Sequence, residues 1–174
     1  MAEEQSTFTM ESRPSATRKA VIFACVVAIW LALDLATKWV FRDLLPGVIL
    51  AGPFFGLVDI RLVHNTGAAW GIFSDSTFAL GVFSIVVCIA LTAYFYATIR
   101  DANTAETIGF GLVVAGGIGN ALDRFFQGYV IDFIEFSFID FPVFNVADIG
   151  VTCGFVIIII GLLASMRKPA DKDE

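Results

Sequence analysis

The chain has 174 residues, of which 57% are hydrophobic and 18 are phenylalanine, with a formal net charge of −6 and a mean hydropathy of +0.81. Soluble domains hold about 45–50% apolar residues, so this composition excludes an ordinary soluble globule, and a negative chain without a basic, aromatic-interleaved patch excludes a nucleic-acid binder. One histidine, His64, and three cysteines, Cys25, Cys88 and Cys153, lie in separate segments with no metal-ligand spacing and no disulfide framework, so neither a metal nor another cofactor is expected.

In chain order, residues 1–19 form a polar tail rich in Glu, Ser, Thr and Arg. The apolar segment after it is too long and too well flanked for a cleavable signal peptide. Four apolar segments follow, at about Ala20–Phe41, Phe78–Ile99, Thr107–Phe125 and Ala147–Met166. Each approaches the about 20 residues that a helix needs to cross a bilayer. Only the polar stretch Arg100–Glu106 separates the second from the third, which predicts an antiparallel helical hairpin. A charged tail, residues 167–174, ends the chain.

Basic residues set the expected orientation. Arg13, Arg18 and Lys19 precede the first span, Arg100 lies between the second and third, and Arg167, Lys168 and Lys172 follow the fourth. Four spans put all of these on one side, which the positive-inside rule makes cytoplasmic. Both termini are then inside, and the two long connections, about Arg42–Thr77 and Phe126–Val146, are outside. Val58–Val63 alternates apolar and polar residues, and Ile131–Phe138 mixes strand-favouring types with polar ones. A small extracytoplasmic sheet built from the outer connections is therefore expected on an all-α, four-helix membrane bundle. Asn65–Gly71 reads as a tight, small-residue turn re-entering the membrane edge.

Ionisable residues near a bilayer core are costly and are functional candidates by default. Asp34 and Lys38, four apart, share a helix face and read either as a neutralised ion pair or as the organiser of a polar pocket. The third segment is rich in small residues, Gly109, Gly111, Gly116, Gly117 and Gly119, which suits close helix packing. It ends in Gly119-Asn-Ala-Leu-Asp-Arg124. Asp123 and Arg124 read as an interfacial ion network, and Asn120 as a helix bridge or a donor to a substrate carbonyl. Asn145 is a candidate N-cap with Asp148 at the third helical position, close to a capping box. Asp148 is therefore either a dipole-stabilised acid or a working one, and Asp132 either an exposed strand acid or a working one. Both flank one short outer connection and can face one membrane-edge cavity. Two close carboxyls tend to share a proton, so one can take a proton from water while the other polarises an amide carbonyl.

Five elements in this order resemble the lipoprotein signal peptidase (signal peptidase II) family: Asp34-Leu-Ala-Thr-Lys38, Asn65-Thr-Gly-Ala-Ala-Trp-Gly71, Gly119-Asn-Ala-Leu-Asp-Arg124, Val130-Ile-Asp-Phe133 and Phe144-Asn-Val-Ala-Asp148. The resemblance covers about Ala20–Met166, the expected peptidase domain being residues 20–166. It implies that Asp132 and Asp148 are a catalytic dyad. It implies that Asn65, Asn120, Arg124 and Asn145 line the site and hold substrate, supported by Asp34, Lys38, Gly119 and Asp123. It further implies an aspartic endopeptidase of the bacterial inner membrane that removes the signal peptide of diacylglyceryl-modified prolipoproteins before the lipidated cysteine. A monomer among membrane lipids, with its site near the outer face, is expected. A proton-coupled transporter or channel is the alternative, opposed by the lack of an inverted repeat and by acids gathered at one end. A purely structural subunit leaves the two sheet-forming connections beside the acids unexplained.

Overall fold

A computed structural model of the protein describes residues 14–67 and 76–166. Helices α1 (Ala16–Phe41), α2 (Thr77–Thr98), α3 (Thr104–Phe126) and α4 (Val146–Met166) are long and apolar enough to cross a membrane. Strands β1 (Ile49–Phe54) and β2 (Val58–Asn65) lie between α1 and α2, and β3 (Val130–Phe136) lies between α3 and α4. The bundle and the small sheet are those expected from the sequence. The tails, with Arg13, Arg167, Lys168 and Lys172, lie outside the described residues, as does the Asn65–Gly71 turn beyond Gly67.

Helix boundaries follow local capping chemistry. The Oγ of Ser15 accepts from the Arg18 backbone N–H at 3.2 Å, so α1 starts at Ala16 rather than near Ala20. Helix α3 likewise starts at Thr104, inside the stretch read as a polar turn. There Asn103 and Glu106 form a capping box, the Asn103 Oδ1 accepting from the Glu106 N–H at 2.9 Å and Glu106 Oε2 from the Asn103 N–H at 3.2 Å. Two backbone donors that a helix start leaves unpaired are thereby satisfied. Nearby, the buried Lys19 ammonium donates to the carbonyls of Ile99 and Arg100, each at 2.9 Å. A cation thus closes the C-terminal end of α2, where the helix dipole favours it.

Helix α3 is the axis of the bundle. Of its apolar window 67% is buried, against 11% to 22% in the other three, and it packs on all of them. Its glycines make this possible. A side chain at Gly109 would strike the backbone of Gly154 on α4, and one at Gly154 would strike Gly109 in return. The two helices meet backbone to backbone, where lipid tails offer no hydrophobic drive and close packing has to hold the pair. Phe23, Cys88, Phe95, Phe110 and Val113 fill the apolar core toward the opposite end from the sheet.

The sheet is antiparallel in the order β1-β2-β3. The β1 strand was not foreseen: Ile49–Phe54 is exposed throughout, with Gly52 and Pro53 inside it, and lacks an alternating pattern. One further pairing decides where the site lies. Phe144, just before α4, exchanges backbone hydrogen bonds with Ile134 of β3, both at 2.9 Å. The connection from β3 to α4 therefore folds back on the strand and sets the start of α4 beside Asp132.

Candidate active site

Asp132 and Asp148 line one cavity of about 140 Å³ at the sheet end of the bundle, with Asn65, Asn120, Arg124 and Phe144 among its walls. Asp132 is 2% exposed, so its reading as an exposed strand acid is corrected: β3 carries it on the face covered by the bundle. Asp148 sits in the first turn of α4 and is half-buried.

All four carboxylate oxygens accept an N–H. Asp132 Oδ1 takes the side-chain amide of Asn145 at 2.7 Å, and its Oδ2 that of Asn65 at 2.9 Å. Asp148 Oδ1 takes the amide of Asn120 at 2.8 Å, and its Oδ2 the backbone N–H of Asn145 at 3.1 Å. Asn145 therefore holds both acids, one with its side chain and one with its backbone. It is also the N-cap of α4, its Oδ1 accepting from the Asp148 N–H at 3.0 Å. The capping reading of Asp148 is realised, and the same carboxylate also lines the cavity beside Asp132. Asn65 reaches Asp132 because β2 and β3 pair Val63 with Asp132 and Asn65 with Val130, a diagonal that long side chains span.

Burial pushes the Asp132 carboxyl up to about 7, with the charge of Asp148 adding to it; the Asn65 and Asn145 amides and the more distant Lys38 ammonium pull the other way. A group with this proton affinity is poised to hold or release a proton near neutral pH.

Behind the pair lies a second layer of charge. The buried Lys38 ammonium stands 2.8 Å from Asp34 Oδ2 and 3.0 Å from Asp123 Oδ2, and donates to Asn120 Oδ1 at 2.9 Å. The ammonium thus faces two carboxylates and one amide oxygen. Each of these two carboxylates also grips the backbone just before a cavity acid. Asp34 Oδ1 accepts from the Ala147 N–H at 2.9 Å, and Asp123 Oδ2 from the Ile131 N–H at 3.2 Å. Because Asn120 Oδ1 is taken by Lys38 and Asn145, its NH₂ end is turned toward Asp148. Gly119 leaves room for this layer, since a Cβ there would collide with Asp34 Oδ2. Arg124 donates to the carbonyls of Asn120, at 3.2 Å, and Gly67, at 3.1 Å, so it ties the end of α3 to the segment following β2.

Every site residue expected from the sequence is thus drawn into one network. Sequence reasoning passed over the Trp30 indole, which donates to the Val146 carbonyl at 3.1 Å and steadies the start of α4. It also passed over Pro142 and Val143, which wall the cavity from the connection before α4. A lone aromatic in an apolar helix carries no signal of such a contact; for the wall residues, their place between Asp132 and Asp148 was the available hint.

The family model described as Signal peptidase (SPase) II matches residues 26–164. Curated relatives named lipoprotein signal peptidase include that of Gloeobacter violaceus, 40% identical over 149 residues, covering 84% of each chain. The Streptococcus pneumoniae protein of that name is 32% identical, covering 84% of this chain and 95% of its own. Among solved structures, a bacterial membrane enzyme determined by the in meso method superposes with a TM-score of 0.76 at 32% identity, covering 87% of this chain and 93% of its own. With four helices able to span a membrane, the chain is a multi-pass membrane protein, and it belongs to the signal peptidase II family.

Proposed function

We propose that the protein is an aspartic endopeptidase that removes the signal peptide from diacylglyceryl-modified prolipoproteins, cutting before the lipidated cysteine. The observation that carries this reading is the pair Asp132 and Asp148, facing one small cavity with every carboxylate oxygen held by an N–H.

The chemistry follows from one shared proton. The ionised carboxylate takes a proton from a water held between the two acids, and the resulting oxygen attacks the scissile carbonyl carbon. The protonated acid gives its proton to the carbonyl oxygen, so a neutral gem-diol forms and the dyad again holds one proton. On collapse the C–N bond breaks, the amine nitrogen takes a proton from the dyad, and one diol hydroxyl returns its proton as the new carboxyl forms. The titration belongs to the pair rather than to either acid. Asn65, Asn120, Arg124 and Asn145 hold the acids and the cavity wall, and a substrate backbone lying in the cavity would meet their remaining polar atoms.

A peptide anchored by its lipid already lies at the membrane edge, so confinement supplies much of the encounter and the cavity supplies orientation. Arg18, Lys19 and Arg100 gather at the end opposite the dyad, which under the positive-inside rule makes that end cytoplasmic and the site extracytoplasmic. A monomer is the working unit in this reading.

The test is cleavage of a diacylated peptide carrying a lipoprotein cleavage sequence, by the parent and by Asp132→Asn and Asp148→Asn. Loss of cleavage in both, with normal membrane insertion, is expected; full activity in either one overturns the dyad. A reporter fused after Glu174 that is active only outside the cell overturns the orientation.

A further inference from the structure

A second cavity, of about 650 Å³, opens between the outer ends of α1 and α3 under the start of β3. It stands apart from the dyad cavity. Lys38 and Asp123 line it from behind, and both are buried and engaged with each other, so the charged layer forms a wall between the two spaces. Leu35, Trp39 and Arg42 fall on one stripe of α1 and continue into Asp43; Leu122 and Phe126 face them from α3. The apolar members are open to the surroundings, Trp39 being 68% exposed and Phe126 83%. Besides Gln127, Tyr129 and the buried Lys38–Asp123 pair, the lining carries one exposed cation and one exposed anion. Arg42 Nε and Asp43 Oδ2 are 3.3 Å apart, with side chains 51% and 82% exposed. Such an exposed pair is weakly held and exchanges partners readily.

We propose that this groove binds one phospholipid of the surrounding bilayer whose head carries both a phosphate and a primary ammonium. Three features fix that chemistry. The groove lies at the outer ends of two spanning helices, where tryptophan and arginine meet lipid heads. Its size lies within the range of small-molecule sites, about 300–1,000 Å³. Its mouth is zwitterionic: the Arg42 guanidinium matches a phosphate as a planar fork, while Asp43 matches an ammonium and repels a purely anionic head. The acyl chains then run past Phe126 and along Leu122 and Leu35 toward the bilayer interior. This lipid is separate from the substrate's own anchor, which has no phosphate.

The test is native mass spectrometry of the full chain in detergent, titrated with dioleoylphosphatidylethanolamine or dioleoylphosphatidylglycerol. The parent is expected to retain one ethanolamine lipid about tenfold more tightly than the glycerol lipid. Arg42→Gln weakens both about tenfold, the loss of one charge-assisted contact. Asp43→Asn removes the preference between heads and keeps the binding. Ile89→Ala, on the exposed face of α2, leaves binding at the parent level. Unchanged unfolding temperatures of the lipid-free variants show that the fold is intact. Equal affinity of the parent for both heads overturns the proposal, as does parent-like affinity in Arg42→Gln. So does an equal loss in Ile89→Ala, which marks lipid held anywhere on the bundle.

Discussion

Helices α3 and α4 begin with the same local grammar at opposite ends of the bundle. Asn103-Thr-Ala-Glu106 opens α3 and Asn145-Val-Ala-Asp148 opens α4, and in both the asparagine and the acid exchange hydrogen bonds as a capping box. Their surroundings differ. Glu106 is buried among its own cap and α4, where Asn103 Nδ2 also donates to the Gly161 carbonyl and to Ser165 Oγ. No second carboxylate joins it among the described residues. Asp148 looks across a cavity at Asp132, with Asn120 fixing its second oxygen. A capped acid becomes a candidate catalyst when other elements bring it a partner acid and room for a substrate.

The contrast can be broken at its centre. Asp132→Asn and Asp148→Asn keep shape and lose the shared proton, and are expected to lower kcat by about 10³-fold or more, at the upper part of the range for acid–base catalysis. A peptide-cleavage assay on purified protein reads this directly. Asn145→Ala removes the one residue that holds both acids, and a displaced dyad should cost about 10²-fold. The matched Asn103→Ala should leave cleavage within about twofold and reduce stability by about 1 kcal/mol, as loss of a cap does; thermal unfolding and the same assay read both. Equal loss of activity in the two asparagine variants sinks the distinction between the helix starts.

The pH dependence sharpens it further. With Asp132 raised to about 7, the dyad keeps its shared proton below that pH, and kcat/KM should fall about tenfold per pH unit above it. The stability sign follows from the same shift. The folded chain holds this proton more tightly than the unfolded one, whose carboxyl titrates near its ordinary value of about 3.9. The resulting stability is complete below that value and is lost as pH rises through about 7. Asp132→Asn should remove this component from the pH profile of unfolding. The smallest effect belongs to Glu106→Gln, which keeps the box geometry: cleavage and its pH profile should match the parent's, and a shifted profile would place Glu106 within reach of the dyad.

Much of this was legible in the residues. Four apolar stretches announce four spans because a bilayer core satisfies no backbone polar group and so demands helices of that length. The alternation of Val58–Val63 announced β2. The β1 strand gave no such sign, because its exposed residues have no core face to alternate against. The start of α3 was misplaced by three residues, because Asn103 and Glu106 look like turn residues until their side chains are seen to close on the helix start. In the site, charged residues in an apolar chain marked themselves, but only as a cluster.

The sequence by itself determined the membrane architecture and the short list of polar groups able to do chemistry, since hydropathy and the cost of buried charge depend on residue type alone. It left open whether Asp148 is a cap or a catalyst and whether Asp132 is exposed. Tertiary structure made Asp148 a cap that also lines the cavity, and buried Asp132. The Phe144–Ile134 pairing folds the last connection back on β3. Lys38 then draws Asp34 and Asp123 together, and each carboxylate pins the backbone beside one cavity acid. The contacts reach as far as that between Asp34 and Ala147, 113 positions apart in the chain. No local pattern encodes them, because they exist only once four helices and a sheet have met.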